Sequence, residues 1–340
     1  MHKSLPSVNV FSELHNEPSS STVPYAKLIE NAVDVEEIDV NLYKSRQLWT
    51  PLGARGVFGG QVVAQALRAA TKTVKSEFNI HSLHSYFILP GNNQIPILYQ
   101  VERIRDGRTY ATRTVKAIQR GRSIFTAGFS FSVKEDGITL EHQSSMPVVP
   151  EPEILPNDEE RVKSFVTHPD VDITPQYREY LETKVEERSP MDYRNTFVPK
   201  PEKFDKAIKS TTQTIWFKTN GALSDDITLH QCVVAYASDN ALIGTASRAN
   251  GLSRSQIGMM ASLDHSMWFH APFRADEWLL YEMESPRTID GRGIAFGRIY
   301  RRDGTLVVSV AQEGILRLSP KEQRRRAAEK ISGQKIKSKI

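Results

Sequence analysis

Apolar residues at helical spacing are concentrated in the segment Leu229–Asp239, LHQCVVAYASD. Val233, Val234 and Ala237 recur at the spacing of one helix face, which predicts a helix surrounded by other structure. Asp239 closes this segment. A carboxylate there is either exposed at a helix end or directed at a reacting centre, because burying it without a partner is costly. The segment alone leaves both interpretations open.

Alternation of apolar and polar residues predicts strands in the first half of the chain. The sequence GVFGGQVVAQALRAA places Gly59 and Gly60 before a helix of small and branched residues. Four strand-like segments follow between residues 81 and 133, with turns marked by glycine at Gly91, Gly107 and Gly121. One helix followed by long antiparallel strands is an α+β pattern.

The second half repeats the first. Three blocks recur in the same order: VVAQA at 62–66 and VVAYA at 233–237, SLHS at 82–85 and SLDHS at 262–266, and Asp-Gly-Arg at 106–108 and 290–292. This order predicts two copies of one helix-plus-sheet module, fused as an internal pseudo-dimer. The polar residues differ between the copies: His230, Asp239 and Gln312 in the second align with Gly59, Arg68 and Gly128 in the first. That asymmetry favours one composite site.

Composition changes along the chain predict five regions. Residues 1–25 are a flexible tail rich in Ser, Pro and Asn, and 26–133 are the first module. Four prolines between 147 and 156 and a charged, partly helical stretch at Gln176–Glu187 make 134–208 a linker or cover segment. The second module is 209–318, and 319–340 is a basic tail, expected to be flexible after Pro320.

Composition and charge exclude several classes of protein. The 340 residues are 39% hydrophobic and 25% charged, contain no apolar run of membrane-spanning length, and begin without the apolar core of a secretory signal. The net charge is +4, but residues 321–340 hold eight Lys/Arg against two Glu, so the remainder is slightly acidic and unsuited to nucleic acid. Cys232, the single cysteine, excludes a disulfide framework and is expected to be an inert buried thiol.

Longer motifs resemble a known family. LHQCVVAYASD, SLDHSMWFHAPFRADEWLLYEMES and GRIYRRDGTLVVSVAQEG, together with RGVFGGQVVAQAL and HSLHSYFILPG, resemble the acyl-CoA thioesterase II family over roughly residues 30–318. The resemblance implies a double-hotdog fold of the α+β class, with two tandem helix-wrapped antiparallel sheets forming a pseudo-dimer. It also implies hydrolysis of fatty acyl-CoA to free acid and coenzyme A, with no cofactor, no metal and no covalent intermediate.

The resemblance further implies a catalytic set of Asp239, Ser262 and Gln312. A carboxylate is ionised near neutral pH and can accept a proton from water, whereas the serine and the amide can orient that water by hydrogen bonds. The oxyanion needs donors, and the start of the helix at Gly59 and Gly60 is the expected source, with Gly60 aligned to the helix-start glycine of related single-hotdog enzymes.

Neighbouring residues have alternative interpretations. Asp264 and His265 look like a catalytic pair, but structural support is the favoured interpretation because the family uses their neighbour Ser262. The aromatic side chains of Trp268, Phe269 and Trp278 are expected either in the core or in the wall of an acyl tunnel, and the sequence leaves that choice open.

The sequence leaves two other functions open. No G-x-S-x-G elbow and no H-E-x-x-H or cysteine cluster is present, which disfavours serine-hydrolase and metal chemistry. A hotdog enoyl-CoA hydratase is the enzymatic alternative, because Asp225 and His230 are five apart as in that group's pair, although Ile227 and Thr228 stand where the group has Asn-Pro. A non-catalytic acyl-CoA-binding protein is the alternative from another class.

The chain terminus suggests partners and an address. Ser338-Lys339-Ile340 differs from the peroxisomal signal Ser-Lys-Leu only by the position of one methyl branch. We therefore expect a peroxisomal import receptor as a partner and the peroxisomal matrix as the location, with the cytoplasm as the alternative. We also expect fatty acyl-CoA as the substrate and other copies of the chain as partners in a homo-oligomer.

Overall fold

The computed structural model describes residues 23–134, 137, 138, 140–168, 175–186, 188–197 and 209–337. In this part of the chain the helices are α1 (Tyr25–Val33), α2 (Gly59–Thr71), α3 (Asp158–Val166), α4 (Pro175–Glu186), α5 (Ile227–Ser238), α6 (Gly244–Ala249) and α7 (Pro320–Lys337). The strands are β1 (Val35–Asp39), β2 (Leu42–Ser45), β3 (Asn79–Phe87), β4 (Leu98–Asp106), β5 (Tyr110–Gln119), β6 (Arg122–Ser132), β7 (Met191–Asn195), β8 (Thr212–Thr219), β9 (Ile257–Ser262), β10 (Asp264–Phe269), β11 (Leu279–Ile289), β12 (Arg292–Arg301) and β13 (Leu306–Leu318).

The strands form one antiparallel sheet in the order β1-β2-β4-β5-β6-β3-β10-β13-β12-β11-β8-β7, with β9 paired to β13. The order β4-β5-β6-β3 on one side of the centre is mirrored by β10-β13-β12-β11 on the other, as a duplicated module requires. The two halves are joined by β3 and β10, whose register runs from Asp264 opposite Tyr86 to Trp268 opposite Ser82. The prediction of two sheet modules in one pseudo-dimer is confirmed.

Local turn chemistry explains two of the hairpins. The β11–β12 turn places Asp290 and Gly291 at φ of 52° and 71°, and the β5–β6 turn places Arg120 and Gly121 at 49° and 71°. Two successive residues with positive φ make the tight turn that follows the twist of antiparallel strands, and glycine adopts that conformation without steric cost.

Helices α2 and α5 pack against each other on one face of the sheet. Every residue of α5 from Leu229 to Ser238 is buried, which confirms the predicted apolar helix. The helices are antiparallel and very close: a Cβ on Gly60 would lie 2.2 Å from the backbone oxygen of Tyr236. Asp239 is the residue that caps α5 at its C-terminal end, so the helix stops one residue before the predicted segment does.

The 134–208 segment is more than a linker. Its strand β7 forms the edge of the sheet by pairing with β8, from Met191 opposite Thr219 to Asn195 opposite Ile215. Upstream of β7 the chain contacts strands of the second half, where the Trp216 indole donates to the Pro150 carbonyl oxygen at 2.9 Å. A small apolar cluster of Leu155, Trp216, Leu280 and Tyr300 fixes this contact. The segment therefore covers part of the second module.

The C-terminal segment also differs from expectation. Residues 320–337 form α7, not a flexible tail. Glu322 in its first turn bonds Arg325 and Arg326, ion pairs at helical spacing that stabilise the helix. Among the described residues, no helix is both long and apolar enough to cross a bilayer.

Candidate active site

Asp239 is held at the end of α5 by contacts to the residue before it. The Tyr281 hydroxyl donates to the Ser238 carbonyl oxygen at 2.9 Å, and the Ser238 hydroxyl is hydrogen-bonded to the His265 ring. Both Tyr281 and Ser238 are buried. The last turn of α5 is therefore fixed against the sheet, and the Asp239 carboxylate projects from a rigid support.

The structure brings the three predicted residues together. Asp239 Oδ1 accepts hydrogen bonds from Gln312 Nε2 at 2.7 Å and from Ser262 Oγ at 3.1 Å. Gln312 Nε2 also donates to Ser262 Oγ. The serine ends β9 and the glutamine lies in β13, two paired strands, so a continuous sheet presents both side chains to the end of α5.

The second carboxylate oxygen faces the first module. A Cβ built on Gly59 would lie 2.7 Å from Asp239 Oδ2 and 3.0 Å from the ring of Phe87. In the part of the chain that the structure describes, no group donates a hydrogen bond to Oδ2. One oxygen of Asp239 is thus anchored, whereas the other packs against Gly59, where any side chain larger than hydrogen would meet it.

Gly59 and Gly60 form the start of α2. The N-cap residue is Phe58, whose side chain cannot accept a hydrogen bond from the first turn. The first helix bonds return to the Phe58 carbonyl from Gln61 and Val62, and the N–H groups of Gly59 and Gly60 have no acceptor among the described residues. Unpaired N–H groups at a helix N-terminus, aided by the helix dipole, form a ready site for developing negative charge.

The two glycines, both predicted at the oxyanion site, have different surroundings. A Cβ on Gly60 would meet the Tyr236 backbone oxygen at 2.2 Å and the Phe58 ring at 2.7 Å. Gly60 therefore permits the close crossing of α2 and α5, whereas Gly59 borders Asp239. The contact joins the two modules, since α2 comes from the first and Asp239 from the second.

The pseudo-equivalent position at the other end of the helix pair is occupied by a salt bridge. Arg68, which aligns with Asp239, donates to Asp226 Oδ2 at 2.9 Å and to Thr228 Oγ1 at the start of α5. Burial of Arg68 and Asp226 is partial. The α2–α5 helix pair thus has the Asp239, Ser262 and Gln312 cluster at one end and the Arg68–Asp226 salt bridge at the other.

Asp264 and His265 do not act as a pair. Asp264 Oδ1 accepts the Glu313 backbone N–H at 2.6 Å, whereas the fully buried His265 ring lies against Ser238. Adjacent residues of a strand point to opposite faces, which separates their side chains. Structural support was the predicted role, and the contacts agree with it. Ser238 and Tyr281 were not anticipated, because nothing in the sequence links them to Asp239.

The hydratase-like pair is not assembled. His230 accepts the Ala275 N–H at Nδ1 and lies 3.0 Å from the Ser224 carbonyl oxygen at Nε2, so both ring nitrogens bind the backbone. Burial lowers the pKa of His230, although the Asp276 carboxylate opposes it. The Asp225 side chain is 95% exposed and pairs with Arg274. These contacts leave His230 no free nitrogen for proton transfer.

The remaining candidates lie apart from this chemistry. Trp268 is 37% exposed on β10 and stacks edge-on with His84, while Phe269 and Trp278 are partly buried in separate apolar clusters. Cys232 is buried, and burial raises the pKa of its thiol to about 12. The described residues include no group of three or more His, Cys, Asp or Glu side chains placed to hold a metal ion.

Comparisons with known proteins identify the family. Family models described as "Acyl-CoA thioesterase" and "Acyl-CoA thioesterase N-terminal domain" match residues 185–315 and 46–132. The chain is 42% identical to acyl-coenzyme A thioesterase 8 of Mus musculus over 294 residues, 86% of this chain and 90% of the relative. It is 26% identical to peroxisomal acyl-coenzyme A thioester hydrolase 1 of Saccharomyces cerevisiae over 304 residues, 78% of this chain and 86% of the relative.

Solved structures support the same assignment. An acyl-CoA thioesterase II from Mycobacterium marinum has a TM-score of 0.67 and 36% identity, covering 86% of this chain and 99% of its own. A hot dog fold protein from Alicyclobacillus acidocaldarius, at a TM-score of 0.65 and 16% identity over 86% of this chain and 98% of its own, supports the fold alone. The chain therefore belongs to the acyl-CoA thioesterase II family and is a thioester hydrolase with a double-hotdog fold.

Proposed function

We propose that the chain hydrolyses fatty acyl-CoA thioesters with a water molecule activated by Asp239, without a covalent intermediate. The observation that supports this proposal most directly is the different environment of the two Asp239 carboxylate oxygens. Oδ1 accepts hydrogen bonds from Gln312 and Ser262, whereas Oδ2 faces Gly59. A water bound between Oδ2 and the start of α2 would be next to the base and next to the unpaired N–H groups.

The reaction then needs two steps. The water oxygen forms a bond to the thioester carbon as its proton passes to Asp239 Oδ2, and the carbonyl oxygen becomes an oxyanion. The N–H groups of Gly59 and Gly60 stabilise that oxyanion, with the dipole of α2 adding to the effect. The C–S bond then breaks, and the departing thiolate takes the proton from Asp239. The products are a carboxylic acid and coenzyme A with a free thiol.

Ser262 and Gln312 orient the base. Neither side chain has useful basicity, but both hold the Asp239 carboxylate by hydrogen bonds. Because Gln312 also bonds Ser262, the three residues form one connected unit. A fixed carboxylate keeps the attacking water in a productive direction, which is where most of the rate gain from positioning arises.

The experiment compares Asp239→Asn with Asp225→Asn. Asparagine has the shape of aspartate and no basicity, so Asp239→Asn should lower turnover by about 10²–10⁴-fold while acyl-CoA binding persists. Asp225 is highly exposed, which makes Asp225→Asn a control for the same chemical change near the other end of α5. Near wild-type turnover of Asp239→Asn would exclude the mechanism.

The alternatives give different results in the same assay. A non-catalytic acyl-CoA carrier would release no free thiol from a stoichiometric amount of acyl-CoA in a single turnover. A hydratase would consume an enoyl-CoA without releasing thiol, and it would depend on Asp225 and His230. A single turnover in ¹⁸O-labelled water also tests for a covalent intermediate, because direct attack by water places the label in the fatty acid and none in Asp239.

Homo-oligomerisation through the outer sheet face, the sheet surface opposite α2 and α5, is part of the proposal. Phe296 lies opposite Ala311, Ala311 opposite Ser266, and Ser266 opposite His84, so these side chains share one face. Two aromatic residues on this face are exposed to solvent: Tyr86 is 64% exposed and Trp268 is 37% exposed. Apolar area of this kind is typical of interaction sites.

Light scattering after gel filtration tests this interface. Trp268→Glu should reduce the particle mass to that of a monomer, whereas Val40→Glu, at an exposed position in the β1–β2 turn, should not. A monomeric wild-type protein would exclude the proposed assembly.

The proposed location is the peroxisomal matrix. The last three residues, Ser338-Lys339-Ile340, lie outside the described residues, and a peroxisomal relative from yeast supports the assignment. Isoleucine in place of leucine at the end of the signal should weaken binding to a hydrophobic receptor pocket by about 1–3 kcal/mol. A fluorescent protein fused to the last twelve residues should give punctate signal that deletion of Ile340 abolishes; diffuse signal from the intact fusion would exclude this address.

A further inference from the structure

The orientation of the Gln312 amide is critical to the site. Its Nε2 end donates to Asp239 Oδ1 and to Ser262 Oγ. The two ends of a glutamine amide have nearly the same shape, so packing alone does not choose between them. If the amide turned over, a carbonyl oxygen would face the Asp239 carboxylate and repel it, and Ser262 Oγ would lose the N–H that donates to it.

Two buried atoms beside the site lack geometrically acceptable partners among the described residues: Gln312 Oε1 and His265 Nδ1. The strands place the two side chains together. Ser266 pairs with Ala311 in the antiparallel register of β10 and β13, so the next position brings His265 opposite Gln312. Both residues are buried on the same face of the sheet, and their side chains interact. Buried polar atoms are almost always paired, so these two are natural partners.

The hydrogen-bond inventory of the ring decides which nitrogen carries the proton. His265 Nε2 lies 2.8 Å from the Ser238 hydroxyl oxygen. A proton on Nε2 would leave Nδ1 and Gln312 Oε1 as two buried acceptors facing each other, which is unfavourable. A proton on Nδ1 can be donated to Oε1, and the Ser238 hydroxyl, which also lies 2.9 Å from the Ala235 carbonyl oxygen, can turn from that carbonyl to donate to Nε2. The second arrangement satisfies both atoms.

We propose that His265 is a positioning residue for thioester hydrolysis: as the Nδ1–H tautomer it binds Gln312 Oε1 and thereby directs the Gln312 amide N–H groups at Asp239 and Ser262. The inference rests on the proposed function, because it assumes that Gln312 serves the Asp239 base. Burial lowers the pKa of His265, although the nearby Asp239 charge and the Gln312 side chain oppose that shift. A neutral ring agrees with a role in positioning and not in proton transfer.

Two amide variants separate the two ring nitrogens. In His265→Asn the side-chain nitrogen can replace Nδ1 and keep the bond to Gln312, and in His265→Gln it can replace Nε2 and keep only the bond to Ser238. We expect His265→Asn to stay near wild-type kcat. His265→Gln and His265→Leu should lose about 10–10²-fold in kcat with little change in KM, the scale expected when a reacting group is misplaced by about 1 Å. Equal losses in His265→Asn and His265→Leu at matched stability in urea would overturn the proposal.

A double-mutant cycle tests the route through Gln312. His265→Leu should cost nothing further in kcat once Gln312→Leu is present, because the amide that it positions has gone. If Gln312→Leu is impaired and His265→Leu adds an independent loss, the inference fails and the proposed function stands. If Gln312→Leu alone keeps wild-type turnover, the proposed site fails, and the inference with it.

A direct readout on the wild-type protein does not depend on the folding of any His265 variant. In the ¹⁵N spectrum of histidine-labelled protein, the ring whose signals respond to Gln312→Leu should show a protonated Nδ1 and an unprotonated Nε2. The opposite tautomer would overturn the proposal.

Discussion

The two adjacent glycines at the start of α2 offer the sharpest test of the site, because one methyl group has opposite consequences at each. At Gly59 the added Cβ would lie 2.7 Å from Asp239 Oδ2. A hydrogen-bonded water oxygen would sit about 2.7–2.8 Å from that atom. In Gly59→Ala the methyl group would press on Oδ2 at less than contact distance, so the carboxylate must turn away and the methyl group must crowd any water bound to it; we expect kcat to fall by about 10²-fold or more.

The stability of Gly59→Ala should fall less than that of Gly60→Ala. The atoms that the methyl group meets are the end of the Asp239 side chain and the Phe87 ring, both able to shift. Overpacking costs about 1–3 kcal/mol. Replacing glycine by alanine within a helix returns about 0.5–1 kcal/mol, and less at the first helical position. The net loss in the free energy of unfolding should lie between about 0 and 2.5 kcal/mol.

Gly60→Ala should behave in the opposite way. Its Cβ would lie 2.2 Å from the Tyr236 backbone oxygen, an atom that cannot move without α5. Restoring an ordinary contact of about 3.5 Å requires the two helices to separate by about 1 Å. That separation opens the closest packing in the core, so the cost in the free energy of unfolding should reach or exceed about 3 kcal/mol.

Urea denaturation and thiol release measured on the same preparations distinguish the two effects. Gly59→Ala should be a well-folded, inactive enzyme, and Gly60→Ala a destabilised one. Turnover of Gly59→Ala within about threefold of wild type, an increase of less than 1 kcal/mol in the activation barrier, would refute the assignment of the reacting water to Oδ2 beside Gly59.

Three other predictions follow from the contacts. Ser262→Ala and Gln312→Ala should each lower kcat by less than Asp239→Asn, and the double variant should lose less than the product of the single losses, since both residues hold Oδ1; multiplicative losses would argue against a shared role. Arg68→Met should leave kcat unchanged but reduce the free energy of unfolding at neutral pH by about 1 kcal/mol, given the partial exposure of its Asp226 partner. Partial burial would raise the pKa of Asp226, but hydrogen bonds from Thr228 and Arg68 hold that pKa below its ordinary value. The stability from this salt bridge is therefore present at pH values above the ordinary pKa of Asp and is lost as the pH falls through the folded-state pKa. A stability deficit of Arg68→Met that grew at low pH would contradict this prediction. Cys232 should react with a disulfide reagent such as dithionitrobenzoate only after unfolding, and rapid labelling of the native protein would be inconsistent with its buried position.

Local pattern was sufficient for much of the fold. Each helix or strand buries one side, and the buried side determines where apolar residues recur along the chain. This local pattern predicts α5 from Val233, Val234 and Ala237, and it predicts β3 to β6 from the alternation of apolar and polar residues. The repeated blocks revealed the duplication, and the family motifs identified Asp239, Ser262 and Gln312, which the structure places in contact.

The parts that required tertiary structure are those that depend on how distant segments meet. Gly59 and Gly60 look alike in the sequence, because both are glycines at the start of a helix. Their different contacts, with Asp239 and with Tyr236, follow from the way in which α2 crosses α5. The Arg68–Asp226 salt bridge, the edge strand β7 and the approach of His265 to Gln312 likewise join residues far apart in the chain. Sequence spacing determines the period of each element, but side-chain contacts between elements depend on register and interhelical distance, which only the packed structure decides.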